Sequence, residues 1–432
     1  MRPVDSLVCR RCGARHPPDS VEYTCPEHDG VAGVLDVTYD EAAMRSAFAL
    51  SDGPVDSLWD YEALLPIDTS EPVVLGAGGT DLLAAPRLGE ALGVDAYVKD
   101  EGANPTGSNK DRGSAVVATR ARNRGHDVVT CASTGNAAAS LAGYAARAGL
   151  ACRIFVPADV PEAKAVQPQV YGADVLAVEG SYEDAYDLCR TVSRERGWYN
   201  RSAAINPYAV EGNRTLGFEI AEQTDATPDW VVLPMGNGCT LAGAWKGLRQ
   251  FADLGLADGT PRMLGVQAAG ATAIHDQFHR ERANEEGVPA ADGAGRPATE
   301  PADRDEGGGP ADRDRGVTGT AADSIDVTGP HNAGKACEAL HESGGDAVVV
   351  DDDAILDAQR LLGETEGLFA EPASAAAVAG LRRARERGIV ADGDTVVVVA
   401  TGTGLKDTAT ASEAVGDTVA VGSDPGTVPD SL

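Results

Sequence analysis

The sequence predicts an α/β protein of open, mostly parallel sheets. Three observations carry that expectation. From Ala96 onward, short β-branched runs alternate with helical stretches, the spacing of α/β units. Most residues of the runs are apolar, without regular polar alternation, as in strands buried on both faces. The chain has 432 residues, 43% of them hydrophobic, enough for two or three domains with a substantial core.

Strands are expected at Ala96–Lys99, Val128–Ala132, Cys152–Val156, Val175–Val178, Trp230–Leu233, Leu264–Gln267, Ala347–Val350 and Thr395–Ala400. Helical patterns between them include Asp111–Arg124, Asn136–Ala148, Ala163–Tyr171, Tyr182–Arg196, Gly212–Gln223 and Leu241–Phe251. No internal repeat of about 20–50 residues is present, which sets a solenoid aside. Residues 283–324 break the pattern: they contain no aromatic, Leu, Ile or Met and are rich in Ala, Gly, Asp, Pro and Arg. Such a stretch buries too little apolar surface to offset its chain entropy and reads as a disordered acidic insertion. A binding loop is the alternative. The stretch after about Val415 has a similar composition.

Charge excludes some partners. With 67 acidic against 36 basic residues the net charge is −31, and only six of the basic residues are lysine. That field repels nucleic acid and anionic membranes. A generic acidic surface would suffice to explain it. Lysine depletion together with Asp-rich surface segments points further, to a halophilic protein whose self-repulsion is screened by salt. No run approaches the ~20 apolar residues of a membrane span, and Met1–Asp5 lacks the apolar core of a signal peptide. The expected location is cytoplasmic.

Of eight cysteines, Cys131, Cys152, Cys189, Cys239 and Cys337 are scattered through core-like segments and read as small buried apolar residues. The other three cluster. Cys9-Arg-Arg-Cys12 precedes Cys25-Pro-Glu-His28 by twelve intervening residues. Two such turns can present four ligands, and thiolates with imidazole suit zinc. The expected metal ligands are Cys9, Cys12, Cys25 and His28, with His16 a competitor for the fourth place and a set of unpaired thiols the plainer alternative. Four protein ligands leave no position for water, so the metal's role is structural.

The chemistry centres on Asn104-Pro-Thr-Gly-Ser-Asn-Lys110-Asp-Arg-Gly113. Pro105 and Gly107 shape a turn, and Ser108 or Asn109 can cap the following helix. Lys110 then lies in the first helical turn, where the dipole disfavours its ammonium and eases attack on an aldehyde. On spacing alone this is equally a solvated lysine at a helix start. Three further elements fall where a phosphate-bearing aromatic cofactor needs them. Ser133-Thr-Gly-Asn136 follows a strand and offers an amide. Gly236-Asn237-Gly238-Cys239-Thr240 follows another and opens a helix, forming a phosphate cradle of backbone N–H groups. Thr401-Gly-Thr-Gly-Leu-Lys-Asp407 places a hydroxyl at the end of a third.

In this order the motifs resemble the tryptophan-synthase-β family of pyridoxal-phosphate (PLP) enzymes, fold type II, and within it the threonine synthases. The likeness spans nearly the whole chain, through Val37-Thr-Tyr-Asp40, Gly78-Gly-Thr-Asp-Leu82, Val98-Lys-Asp-Glu101, Ala322-Asp-Ser-Ile325 and Glu371-Pro-Ala-Ser374. The resemblance implies that Lys110 carries PLP as a Schiff base and shuttles protons. It assigns Asn136 to the phenolic oxygen, Gly236, Asn237, Gly238, Cys239 and Thr240 to the phosphate, and Thr401 to the pyridine nitrogen. It implies two lobes with the cofactor in the cleft between their sheets. The lobes expected are 110–225 (small) and 46–109 plus 226–432 (large), after a zinc-knuckle segment over 1–45. It also implies elimination or replacement on an amino-acid substrate, lobe closure and a possible homodimer.

The pattern departs from the threonine synthases at the substrate-phosphate clamp. A threonine, a serine and an arginine are expected there, and the matching positions hold Ala137, Ala204 and Ala209. The residue before the lysine, usually aromatic, is Asn109. Two enzyme readings follow. One converts O-phosphohomoserine and water to threonine and phosphate, the phosphate being held by other groups such as Arg112, Asn206 or Arg214. The other eliminates or replaces a substituent of an unphosphorylated amino acid, as in serine/threonine dehydratase or β-replacement chemistry. A non-catalytic PLP- or zinc-binding regulator is a third reading, opposed by the presence of Lys110, Asn136 and Thr401.

Overall fold

The computed structural model describes residues 3–28, 30–48, 53–285, 319–415, 418–421 and 423. Most of the expected insertion, residues 286–318, lies outside them. Of its ends, 283–285 close a helix, while Thr320 and Ala322 are buried.

The strands are β1 Val4–Cys9, β2 Arg15–His16, β3 Leu35–Tyr39, β4 Leu82–Ala84, β5 Asp95–Asp100, β6 Val128–Ala132, β7 Ala151–Pro157, β8 Asp174–Val178, β9 Tyr199–Asn200, β10 Trp230–Pro234, β11 Arg262–Ala268, β12 Asp346–Val350 and β13 Thr395–Ala400. The helices from the N-terminus are α1 Glu41–Ala47, α2 Pro86–Leu92, α3 Lys110–Asn123, α4 Asn136–Ala148, α5 Glu162–Val170, α6 Tyr182–Arg196 and α7 Pro207–Glu211. They continue with α8 Arg214–Gln223, α9 Cys239–Asp253, α10 Ala273–Glu285, α11 Ala333–Glu342, α12 Asp352–Glu366, α13 Pro372–Glu386 and α14 Thr408–Ala411. All eight expected strands are present, with bounds shifted by no more than two residues.

Two open sheets form the body. One has the order β8-β7-β6-β9, all parallel. The other runs β12-β11-β10-β13-β5-β4, parallel except for the antiparallel edge strand β4. In the larger sheet, Val98, Val232, Val266, Val348, Val396 and Val398 face one core with α12 and α13. Val231, Leu233, Val397 and Val399 face another with α8, α9 and α11. Burial on both faces explains why these strands carry no polar alternation. At about 1.5–3 kcal/mol for each fully buried valine or leucine, the two cores hold the sheet rigidly enough to carry a site at its edge.

Two expectations are corrected by the structure. The helix expected over Gly212–Gln223 is α8, which starts two residues later; the short α7 before it is separated from it at Gly212, where any Cβ would collide with the Arg112 carbonyl. Neither Ser108 nor Asn109 caps α3 through its side chain. The N-terminal segment is a three-stranded antiparallel sheet, β2-β1-β3, that the sequence pattern did not announce. It has no separate core: Leu7, Leu35 and Val37 pack with Leu58, Trp59, Tyr144 and Tyr208 of the body. Among the described residues no helix is long and apolar enough to cross a membrane.

Candidate active site

The lysine loop is tied at both ends. At its start Arg112 reaches back from α3 to Glu101, and on to Glu219 of α8, with 2.6–2.7 Å bonds to each carboxylate. Lys99 completes the buried network by donating to Glu219 at 2.8 Å. Burial alone would raise Glu219; the Arg112 and Lys99 charges outweigh it and hold the carboxyl at about 2. In the loop, Asp111 accepts from the Thr106 N–H at 2.7 Å, and Gly107 turns at φ +87°. At its far side the loop joins the Thr401 segment, Asn109 N–H donating to the Thr401 carbonyl at 2.9 Å and Thr403 N–H to the Gly107 carbonyl at 3.0 Å.

These bonds place Lys110 at the first turn of α3, as expected. Its Nζ donates to Asn109 Oδ1 at 2.9 Å, while Asn109 Nδ2 donates to Thr240 Oγ1 at 2.9 Å. A polar wall therefore runs from the lysine to the glycine loop. Burial, and then the charge of Arg201, pull the Lys110 ammonium below the usual lysine range.

The other three elements converge on the same cleft. Gly236–Thr240 links β10 to α9, with Gly238 at φ +82° as N-cap. The first-turn N–H groups of α9 have no intrahelical acceptor and could cradle a phosphate. Asn237 Oδ1 is engaged by the His331 N–H at 3.1 Å, and Cys239 Sγ by Asn332 Nδ2 at 3.2 Å, so their side chains brace the loop. Asn136 opens α4, and Thr401 follows β13 with its hydroxyl 2.9 Å from Ser374 Oγ. A buried lysine of depressed basicity, an amide, an N–H cradle and a hydroxyl thus surround one cleft. They fit PLP.

Two residues of the cleft were missed from sequence. Glu371, quoted only within a motif, is a buried carboxylate whose oxygens both accept from Asn136. Its signal was a charge opening an otherwise Ala/Ser-rich helix. Arg201 follows β9, a strand too short to show a pattern. The suggested phosphate holders are engaged elsewhere. Arg112 is spent on two carboxylates, Arg214 on Glu211 and Gln250, and Asn206 on the Asn200 carbonyl and the Tyr208 N–H.

At the N-terminus the ligand atoms of Cys9, Cys12, Cys25 and His28 all lie within 4.8 Å of one another. His16 is not in the group. His28 Nε2 is buried without a hydrogen-bond partner, which is consistent with a lone pair kept for a metal.

Fold and site together define a PLP enzyme, and comparison agrees: residues 73–402 match the pyridoxal-phosphate dependent enzyme family, to which this chain belongs. Within it the likeness is to threonine synthases. That of Methanosarcina acetivorans is 41% identical over 93% of this chain and 92% of its own length. That of Methanocaldococcus jannaschii is 38% identical over 92% of each. Among solved structures, the processed form of threonine deaminase isoform 2 from Solanum lycopersicum superposes with a TM-score of 0.61 at 22% identity, covering 78% of this chain and 86% of that one. Maize serine racemase gives 0.59 at 20%, covering 75% and 88%. Those two likenesses establish the fold alone.

Proposed function

We propose that this threonine-synthase-like enzyme converts O-phosphohomoserine and water to threonine and phosphate. The observation that carries the reading is the convergence of Lys110, Asn136, Gly236–Thr240 and Thr401 on one cleft, in a chain similar to threonine synthases over nearly its whole length. Lys110, Asn136, Thr401 and the glycine loop would hold PLP. When bound, the cofactor supplies an electron sink for charge developing on the substrate carbons. Burial and the Arg201 charge lower the basicity of Lys110, which eases the uptake and return of protons at its Nζ. The hydroxyl of Thr401, in place of a carboxylate, would leave a bound cofactor's pyridine nitrogen largely unprotonated. Asn109 and Thr240 keep the lysine and the phosphate cradle in register.

The second reading, an unphosphorylated substrate, is favoured by Ala137, Ala204 and Ala209 at the clamp positions. The PLP-loaded protein separates the two when incubated with O-phosphohomoserine, serine, threonine and O-acyl-serine and assayed for phosphate, oxoacid and ammonia. Phosphate release from O-phosphohomoserine alone is the expected result; oxoacid from serine or threonine with no phosphate release sinks the first reading.

We further propose lobes over 110–225 and over 46–109 plus 226–432, and a structural zinc on Cys9, Cys12, Cys25 and His28. The −31 charge supports a high-salt cytoplasm as the working medium. Its self-repulsion predicts a melting temperature that rises from dilute buffer to molar KCl.

A further inference from the structure

We propose that Arg201 holds the substrate's phosphoryl group, taking over from residue 209 the clamp that three alanines have vacated. This deepens the reading of a phosphorylated substrate and rests on it.

Arg201 stands at the C-terminal edge of the four-stranded sheet, its backbone N–H donating to the Thr130 carbonyl at 2.8 Å. The residue is 6% exposed. Its guanidinium makes only long contacts, 3.4 Å to Ser114 Oγ and 3.4 Å to the Lys110 carbonyl. Among the described residues no carboxylate lies within 4.0 Å of it. A buried guanidinium without an anion is costly and rarely kept without a use. Arg112 and Arg214, buried as fully, each have their carboxylates. Among the described residues, Arg201 is thus a buried guanidinium that no carboxylate neutralises.

Arg201 lies near one of the three alanines. A Cβ built on Gly113 would lie 3.4 Å from Arg201 Nη2 and 2.6 Å from the Ala209 carbonyl oxygen. The guanidinium and the Ala209 carbonyl thus both border Gly113 of α3. The Arg201 charge reaches the reacting end of the cleft, where it is felt by Lys110 and by Cys239 in the glycine loop.

Elimination supports the choice of ligand. The proposed cradle at the start of α9 would serve the cofactor's phosphate, and the first-turn N–H groups of α4 can serve one further anion. A third anion, a phosphate ester, still needs a cation, and the planar fork of arginine matches it bidentately. Ser202 Oγ, next in sequence, is buried with no hydrogen-bond partner and offers a second donor.

The test uses PLP-loaded protein, so that the cofactor's cradle is filled. Binding of inorganic phosphate is measured by calorimetry, and KM and kcat are measured with O-phosphohomoserine. In Arg201→Gln, phosphate binding should vanish and KM should rise on the order of 100-fold, with the visible absorbance of bound PLP unchanged. Arg201→Lys keeps the charge but not the fork, and should raise KM by about tenfold. Should Arg201→Gln fail to load cofactor, the lysine variant decides: an unchanged KM overturns the proposal. Phosphate binding that survives Arg201→Gln overturns the assignment of Arg201. Absence of phosphate release by the unaltered enzyme defeats the reaction itself, a separate failure.

Discussion

Asn136 Nδ2 lies 2.9 Å from both carboxylate oxygens of Glu371, joining the first turn of a helix on the four-stranded sheet to the first residue before a helix on the six-stranded one. Glu371 in turn donates its N–H to the Gly402 carbonyl at 3.0 Å, beside Thr401. The amide proposed for the cofactor's phenolic oxygen is therefore aimed by a carboxylate, which is itself fixed to the segment proposed for the pyridine nitrogen.

Removing the carboxylate should loosen that aim. Glu371→Ala takes away a charged acceptor worth roughly 1.5–3 kcal/mol, part of which returns as Asn136 finds water. PLP affinity, titrated by visible absorbance, should fall by about tenfold, and Glu371→Gln, which keeps one acceptor oxygen, should lose less. Equal affinity in Glu371→Ala and the unaltered protein would show that the pairing does not position Asn136.

The same carboxylate sets a pH dependence. Burial, then the Arg201 charge, lower the Lys110 pKa, while the negative charge of Glu371 opposes them. Cofactor loading needs the neutral amine, so its rate should rise with pH through a midpoint below 10.5, the ordinary lysine value. Glu371→Gln deletes the opposing charge, and the midpoint should move to lower pH. A move to higher pH would contradict the placement of the two groups.

The buried network of Arg112 governs acid stability. Glu219 titrates at about 2 against an ordinary 4.5, so the folded state binds its proton less readily than the unfolded chain. The stabilisation is complete above 4.5 and is lost as pH falls toward 2. Acid unfolding should be centred in that window. Arg112→Met leaves Glu101 and Glu219 buried beside one remaining cation, Lys99, and should cost about 3–5 kcal/mol, read from denaturant midpoints. It should also move acid unfolding to higher pH, because Glu219 then protonates earlier.

The strands of the larger sheet were legible because runs such as Val396–Val399 are buried on both faces and so carry no ambiguity of face. The order of the motifs was legible because each glycine-rich turn follows a strand. What sequence did not show were contacts set by tertiary closure. Arg112 was a candidate phosphate holder until Glu101 and Glu219 were seen around it, since nothing in Lys110-Asp-Arg112 reveals a partner on α8. Arg201 was hidden by the reverse: its meaning lies in the carboxylates that are not there. β1–β3 escaped because their apolar residues, Leu7, Leu35 and Val37, pack on residues of the body far along the chain.

The N-terminal cluster predicts a response to metal removal. Cys9 and Cys25 are buried, and Cys12 Sγ approaches Cys25 Sγ to 3.9 Å. Three thiols and an imidazole at such range suit a tetrahedral ion, with zinc fitting the sulfur-rich set. Coordination would pin the turn between β1 and β2 to the loop preceding β3. β3 carries Asp36, which accepts from Lys246 of α9 at 3.0 Å and from Lys335 of α11 at 3.5 Å. α9 begins at the glycine loop, so a loosened β3 should be felt at the phosphate cradle. One zinc per chain is expected, and chelation should lower the melting temperature and weaken PLP binding modestly. His28→Ala should lose most of the zinc, whereas His16→Ala should retain it, because His16 stands outside the ligand group. Equal zinc content in the two variants would remove His28 from the site, and a chelated protein with unchanged melting and PLP affinity would sever the knuckle from the cleft.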